Sequence, residues 1–362
     1  MEQKLPIVRD APLIPLLYYE ILIAVGEAAD LDFAPSNPAS SPGSSNHVIA
    51  PERLQWELFQ PGTEIKTRLP APEKPLVPHA SKLAQLTADM QPTVAMRIIH
   101  PPPKVVAPNV CLFVSYSSIA EIKPHVAFHL KAIRSYGFAT VLILVTDREL
   151  DQVDLGRPPG GHALVLRRNA GFDFGAWADA FRLFPDLWRS QCVLLVNDSI
   201  FGPMTSLEPA MNAVLRAPAD LVGLTESFQK KQHLQSFFLR LNQRALLSPI
   251  VQQFWADVRN FATKEEVIDT YEINLASLFR ESGLSTHAIF SLPDFKIVPA
   301  NPSINLWQVL LERGFPYLKV ELFRELINPE RWARIKGRFP NRRIVKLIDD
   351  YVEENIASHR PA

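Results

Sequence analysis

The sequence predicts an α/β protein: a mainly parallel sheet with helices on both faces, preceded by an irregular Pro-rich region. Three observations carry this. Beyond Pro108, continuous apolar runs of strand length alternate with segments of helical periodicity. The runs are apolar at consecutive positions, as strands covered on both faces are. Fourteen of the 32 prolines fall between Pro35 and Pro108, and no such alternation occurs there.

Taken in order, Lys4 and Arg9 precede an apolar stretch from Ala11 to Gly26 that is broken by Pro12, Pro15 and Glu20. The stretch falls short of the roughly 18 apolar residues a spanning helix needs. It reads as a helix from Leu16 to Val25 with Pro15 in its first turn, docked on the core or lying on a membrane surface, and not as a secretion signal. The expected compartment is therefore the cytoplasm. Pro35 to Asn46 is Ser- and Pro-rich, as exposed linkers are. Short amphipathic pieces follow at Leu54–Phe59 and Ala80–Met90. Residues 1–104 thus form an N-terminal appendage, residues 105–325 the α/β domain, and residues 326–362 a basic helical tail.

Within the domain, strands are expected at Asn109–Ser115, Phe138–Val145, Ala163–Leu166, Cys192–Val196 and Asp220–Leu224. Ile119, Ile122, Val126, Leu130 and Ile133 recur at helical steps, as do Phe174, Trp177, Phe181 and Phe184. A further helix is expected over Lys264–Phe279. This order describes a Rossmann-type sheet.

Composition narrows the function classes. Hydrophobic residues make up 47% and charged residues 21%, which is ordinary globular usage. Lys plus Arg equals Asp plus Glu, 38 each, so the chain-wide basic footprint of a nucleic-acid binder is absent. Cys111 and Cys192 sit alone inside apolar runs, which predicts buried free thiols and excludes a cysteine zinc site.

Ligands of such sheets bind at the carboxyl ends of the strands. Two strand-end segments stand out. Arg167-Arg168-Asn169-Ala170-Gly171-Phe172-Asp173-Phe174-Gly175 joins a strand to a helix. Gly171 permits a tight turn and close ligand approach, Asp173 is placed to cap the helix, and Arg167 and Arg168 bring charge to its N-terminus. An ordinary Asx-capped connection with a solvated arginine pair fits the same residues. The loop is neither a GxGxxG nor a P-loop pattern. Asn197-Asp198-Ser199, before Gly202-Pro203, ends the strand Cys192–Val196. A carboxylate there can hold Mg²⁺ or Mn²⁺ with substrate phosphates completing the shell, or the triplet can be an Asx turn.

Together the two segments resemble the donor-binding half of GT-A-type glycosyltransferases. More closely, Asn169 to Trp177 and Leu195 to Pro203 resemble the rhamnan synthesis protein F family of bacterial polysaccharide glycosyltransferases. Further similar stretches are Gly223–Ser227, His233–Phe238, Ser248-Pro249 with Phe254-Trp255, Tyr271-Glu272, and Asn301-Pro302 through Trp307 with Gly314-Phe315-Pro316. The resemblance covers about residues 109 to 325. It implies a GT-A-like fold and transfer of a deoxysugar, often rhamnose, from a nucleotide-sugar donor. The implied acceptor is a glycan or lipid-linked glycan, a precursor of cell-surface polysaccharide or lipopolysaccharide, and the expected transfer is inverting. A catalytically inactive sugar-binding or scaffold module of the same fold is the alternative.

On this reading Ser115, Arg168, Asn169, Gly171, Asp173, Asn197, Ser199 and His233 contact substrate. Asp198 is catalytic and the candidate ligand for Mg²⁺ or Mn²⁺. The fold's usual metal signature is Asp-x-Asp; here Asp198 is the triplet's only carboxylate, and Arg167, Arg168 and the helix dipole are available to replace part of the cation's charge. The general base is sought among Glu226, Glu272 and Asp269, with Glu226 preferred because it follows a strand. Trp255 and Trp307 read as core.

In the tail, seven basic residues lie between Arg331 and Lys346 with no acidic residue among them. Trp332, Ile335, Phe339, Ile344 and Val345 are interleaved. The pattern is compatible with peripheral attachment to the inner membrane face, and equally with a folded terminus.

Overall fold

A computed structural model describes residues 93–101, 108–156, 163–291 and 301–358. The expected helix at Leu16–Val25 and the pieces at Leu54–Phe59 and Ala80–Met90 lie outside these residues.

Eight strands form the central sheet: β1 (Met96–His100), β2 (Asn109–Tyr116), β3 (Ala139–Thr146), β4 (Ala163–Arg168), β5 (Cys192–Asn197), β7 (Leu221–Gly223), β10 (Phe238–Asn242) and β11 (Thr286–Ala288). Two-stranded pairs join β6 (Ile200–Phe201) to β12 (Leu318–Lys319), and β8 (Glu226–Ser227) to β9 (His233–Leu234). The spatial order is β1-β4-β3-β2-β5-β10-β7-β11. β2 to β5 are mutually parallel, and β7 pairs parallel with β11. Each of the five expected strands is present.

Two strands run against the rest. β1 pairs antiparallel with β4, although residues 96–100 fall in the stretch assigned to the appendage. β10 lies antiparallel between β5 and β7. Its buried Arg240 donates to the carbonyls of Val214, Ala217 and Ala219, at and just past the end of the helix Glu208–Arg216. A charged residue can occupy a central strand here because it satisfies a helix's orphan carbonyls.

Helices cover both faces. α1 (Pro124–Arg134) and α3 (Glu208–Arg216) cover one, where Val126, Leu130, Ile133 and Met211 pack with Phe113, Leu144 and Phe238. α2 (Phe172–Leu183) and α4 (Pro249–Asp257) cover the other, where Trp177, Phe181 and Trp255 pack on Leu112, Ile143 and Leu195. Trp255 and Trp307 are buried as expected. Helix α5 (Ile273–Glu281) follows a π-helical turn at Ile268–Glu272, so the predicted Lys264–Phe279 helix is a composite.

The basic tail folds onto the domain. α6 (Pro329–Ile335), α7 (Arg342–Ser358) and the turn between them bury Trp332, Phe339, Ile344 and Ile348 against Phe201, Met204 and Leu318. Cys111 and Cys192 are buried free thiols; burial pushes Cys192 up to about 12.

The chain leaves β2 toward β3 and β4 on one side and returns to β5 on the other. Strand order reverses between β2 and β5, which opens a crevice at their carboxyl ends.

Candidate functional site

Asp198 follows β5 at this reversal. Its Oδ2 accepts from Ser115 Oγ at 2.8 Å, from the Tyr116 amide at 3.2 Å and from Lys123 Nζ at 2.7 Å. Ser115 and Tyr116 end β2, and Lys123 immediately precedes α1. The strand-end carboxylate is thus already paired with a fixed ammonium. Sequence reasoning missed Lys123; the available signal was its place before Pro124, at a helix start facing a strand end.

Behind this pair lies His125, whose buried Nε2 has no hydrogen-bond partner among the described residues. Burial holds its imidazole down at about 4; Asp198 pulls the other way, and Lys123 adds to the depression. With its imidazole held neutral near pH 7, His125 adds no positive charge beside Lys123.

Asn197 realises the Asx turn. Its Oδ1 accepts from the Ser199 amide at 3.1 Å and from Ser199 Oγ at 2.6 Å, while Nδ2 donates to Asp173 Oδ2 at 2.8 Å. Asp173 accepts from the Phe174 amide and does not cap the helix, contrary to expectation. The cap position belongs to Gly171, at φ 64°. Burial, with Glu272 nearby, raises the Asp173 pKa. Glu272 Oε1 accepts from the Ser236 amide at 2.9 Å. Lys319, on β12, completes the group: burial lowers its pKa, with Glu272, Glu321 and Asp173 opposing. Asp173, Asn197, Glu272 and Lys319 therefore form a second polar cluster beside Asp198.

Along the same edge, Asn169 donates to Asp147 Oδ1 at 2.8 Å and the Tyr116 hydroxyl donates to Oδ2. These hydrogen bonds, the tyrosine's first, lower the Asp147 pKa, and the Tyr116 hydroxyl is raised in turn. Arg168 bridges to Glu149 at 2.7 Å and stays half exposed.

Arg167 is the clearest departure. It is fully buried and donates to Asp179 Oδ2 through Nε and Nη2, and to the carbonyls of Arg168 and Ala170. It holds the loop from inside and offers nothing to a ligand. Gly171 is also explained internally: a Cβ there would stand 2.0 Å from Asn260 Oδ1 and 2.8 Å from its Cα. The glycine serves chain packing, not phosphate approach.

Glu226 and His233 lie on the β8–β9 hairpin. Glu226 accepts from Gln232 and Ser291, and His233 Nδ1 lies 2.7 Å from the Lys231 carbonyl oxygen. Asp269 is exposed and paired with Lys230. Of the three carboxylates considered as base, Glu272 stands with the strand-end cluster.

The Virulence protein VirA of Vibrio anguillarum is 25% identical over 235 residues, which cover 56% of this chain and 74% of that protein. The uncharacterized protein y4gN of Sinorhizobium fredii is 24% identical over 159 residues, 42% of each chain. Among solved structures, a putative glucose-1-phosphate thymidylyltransferase from Bacillus anthracis overlaps at a TM-score of 0.34 and 8% identity, covering 51% of this chain and 87% of that one. The family model for rhamnan synthesis protein F matches residues 159–357, more than half of the chain, and spans both strand-end segments, the Glu272 turn and the packed tail. The chain belongs to the rhamnan synthesis protein F family.

Proposed function

We propose that the protein is an inverting glycosyltransferase of GT-A type. It moves a deoxysugar, rhamnose or a close relative, from a nucleoside diphosphate to a glycan or lipid-linked glycan in cell-surface polysaccharide or lipopolysaccharide synthesis. The observation that carries this is the polar crevice at the reversal of strand order, where Ser115, Asp198, Asn197 and Asp173 converge. The acceptor hydroxyl oxygen attacks the sugar's C1 opposite the diphosphate. The C1–O bond breaks, its electron pair leaves with the diphosphate, and the hydroxyl proton passes to a carboxylate. Glu272 is the base favoured by its place beside Asp173 and Asn197. Glu226, held by two side chains on a separate hairpin, is the second choice. Asn169, Arg168 and Ser199 shape the donor side, and His233 borders the acceptor side. The enzyme works in the cytoplasm, with its basic tail at an anionic membrane face. Among the described residues no helix is long and apolar enough to cross a membrane.

The test is release of nucleoside diphosphate from a panel of nucleotide sugars. Asp198→Asn should lower turnover about a hundredfold, the scale of losing one preorganised electrostatic group, with folding intact. Glu272→Gln should abolish transfer while donor binding persists; normal transfer by that variant beside a dead Glu226→Gln would reverse the choice of base. Donor binding without release by the unsubstituted protein would favour the inactive module.

A further inference from the structure

GT-A-type folds commonly hold the donor diphosphate through a divalent cation on paired carboxylates, and the residues here fit that ion poorly. Mg²⁺ requires near-octahedral oxygens, one or two of them from carboxylates. Asp198 is the triplet's sole carboxylate, and its Oδ2 already accepts from Lys123, Ser115 and Tyr116. Asp173 is committed to Asn197 and the Phe174 amide. Among the described residues no group of three or more His, Cys, Asp or Glu side chains is arranged for a metal. A dication on the remaining Asp198 oxygen would stand beside the Lys123 ammonium, like charge against like charge.

We propose that Lys123 takes the ion's place, so that the donor diphosphate is bound and discharged without a divalent metal. This rests on the glycosyltransferase reading. Nζ lies 2.7 Å from Asp198 Oδ2, and the lysine side chain remains 37% exposed, so the ammonium is positioned by protein yet open to a ligand. An ammonium carries three donors and Asp198 takes one. Pro124, directly after Lys123, fixes the helix start that presents the side chain. When the C1–O bond breaks, the pair left on the diphosphate oxygen is met by this fixed charge, with no proton transfer required. Ser115, Tyr116 and Asp198 act as positioning residues for the lysine.

Titration calorimetry on the full chain with UDP, GDP and dTDP, in EDTA and again with Mn²⁺, tests the proposal. The expected result is that one of these diphosphates binds with the same affinity in both buffers. Lys123→Gln should weaken that binding roughly tenfold to a hundredfold. Lys123→Arg should restore most of it, and Lys131→Gln, an exposed lysine on the same helix, should leave it unchanged. Binding that appears only with Mn²⁺ overturns the proposal and leaves the glycosyltransferase reading standing. So does metal-independent binding that Lys123→Gln does not weaken. No binding to any diphosphate in either buffer overturns both. The EDTA–Mn²⁺ comparison needs no variant, so it decides metal dependence even if Lys123→Gln fails to fold.

Discussion

The loop after β4 and the loop after β5 look alike in sequence and differ in what they face. Both follow apolar strands, both carry Asn and Asp, and both precede a structured turn. After β4, the charge turns inward: Arg167 and Arg182 share Asp179, at 2.9 and 2.7 Å, and all three are buried. Thr93 and Asn260 close the network. After β5, the charge turns outward: Asp198 and Lys123 meet at the crevice mouth, with side chains 19% and 37% exposed. Charged residues at a strand end open onto a crevice in one setting and brace the core in the other. The partner decides, and the partner comes from a distant part of the chain.

The largest expected effect tests the inward loop. Asp179→Ala would leave Arg167 and Arg182 buried without a counter-charge. Breaking a buried ion pair on one side costs about 3–5 kcal/mol. Urea unfolding should show that loss, while Asp198→Asn should unfold close to the unsubstituted protein. Equal stability losses in the two variants would erase the distinction between the loops.

The next effect tests what lies beneath the outward loop. Burial depresses His125 to about 4 and His129 to about 3, from an ordinary 6.5. The unfolded chain therefore binds these protons before the folded one does. The stability contribution is fully present above pH 6.5 and is lost as pH falls toward 4. For His125 alone the shift corresponds to roughly 3 kcal/mol at the acid end. His125→Gln should flatten the fall in stability between pH 6.5 and 4 relative to the unsubstituted protein. Parallel curves for the two proteins would show that His125 is hydrated and titrates freely.

The strands β2 to β5 were legible because a strand buried on both faces must be apolar throughout, and the intervening helices because one face must be. Strand-end placement made Asp198, Asn197 and Asp173 legible as well. β1 was hidden among prolines, since an edge strand is defined by the β4 backbone it pairs with. β10 was hidden by Arg240, whose polarity is offset by α3 carbonyls that no local pattern announces. Lys123 and Lys319 were missed because a lysine carries no periodicity. Arg167 was misassigned because its partner Asp179 sits a full loop and helix turn away, on the inward face of α2.

The smallest expected effect concerns the tail, where the same contrast between inward and outward groups recurs. The interleaved apolar side chains Trp332, Phe339, Ile344 and Val345 are buried in the fold, so they are not free to insert into a membrane. Lys336 is taken by Asp349. Arg334, Arg338, Arg342, Arg343 and Lys346 remain exposed. Their placement opposes helix electrostatics: Arg342 and Arg343 open α7, while Asp349, Asp350, Glu353 and Glu354 come later, the reverse of what the macrodipole favours. The helix dipole therefore does not account for the pattern; Arg343 lies over the Phe128 ring, and an anionic membrane face is the proposed partner of the rest. Each basic side chain near an anionic leaflet contributes about 1 kcal/mol, falling with salt. Co-sedimentation should recover the protein with phosphatidylserine vesicles at low salt, less at high salt, and not with neutral vesicles. Arg342→Gln with Arg343→Gln should weaken vesicle binding roughly thirtyfold at low salt, on that per-residue scale, and leave sugar transfer to a soluble acceptor unchanged. Recovery that is the same with neutral vesicles, or absent from both at low salt, would assign the basic surface to solvent and detach membrane docking from the tail.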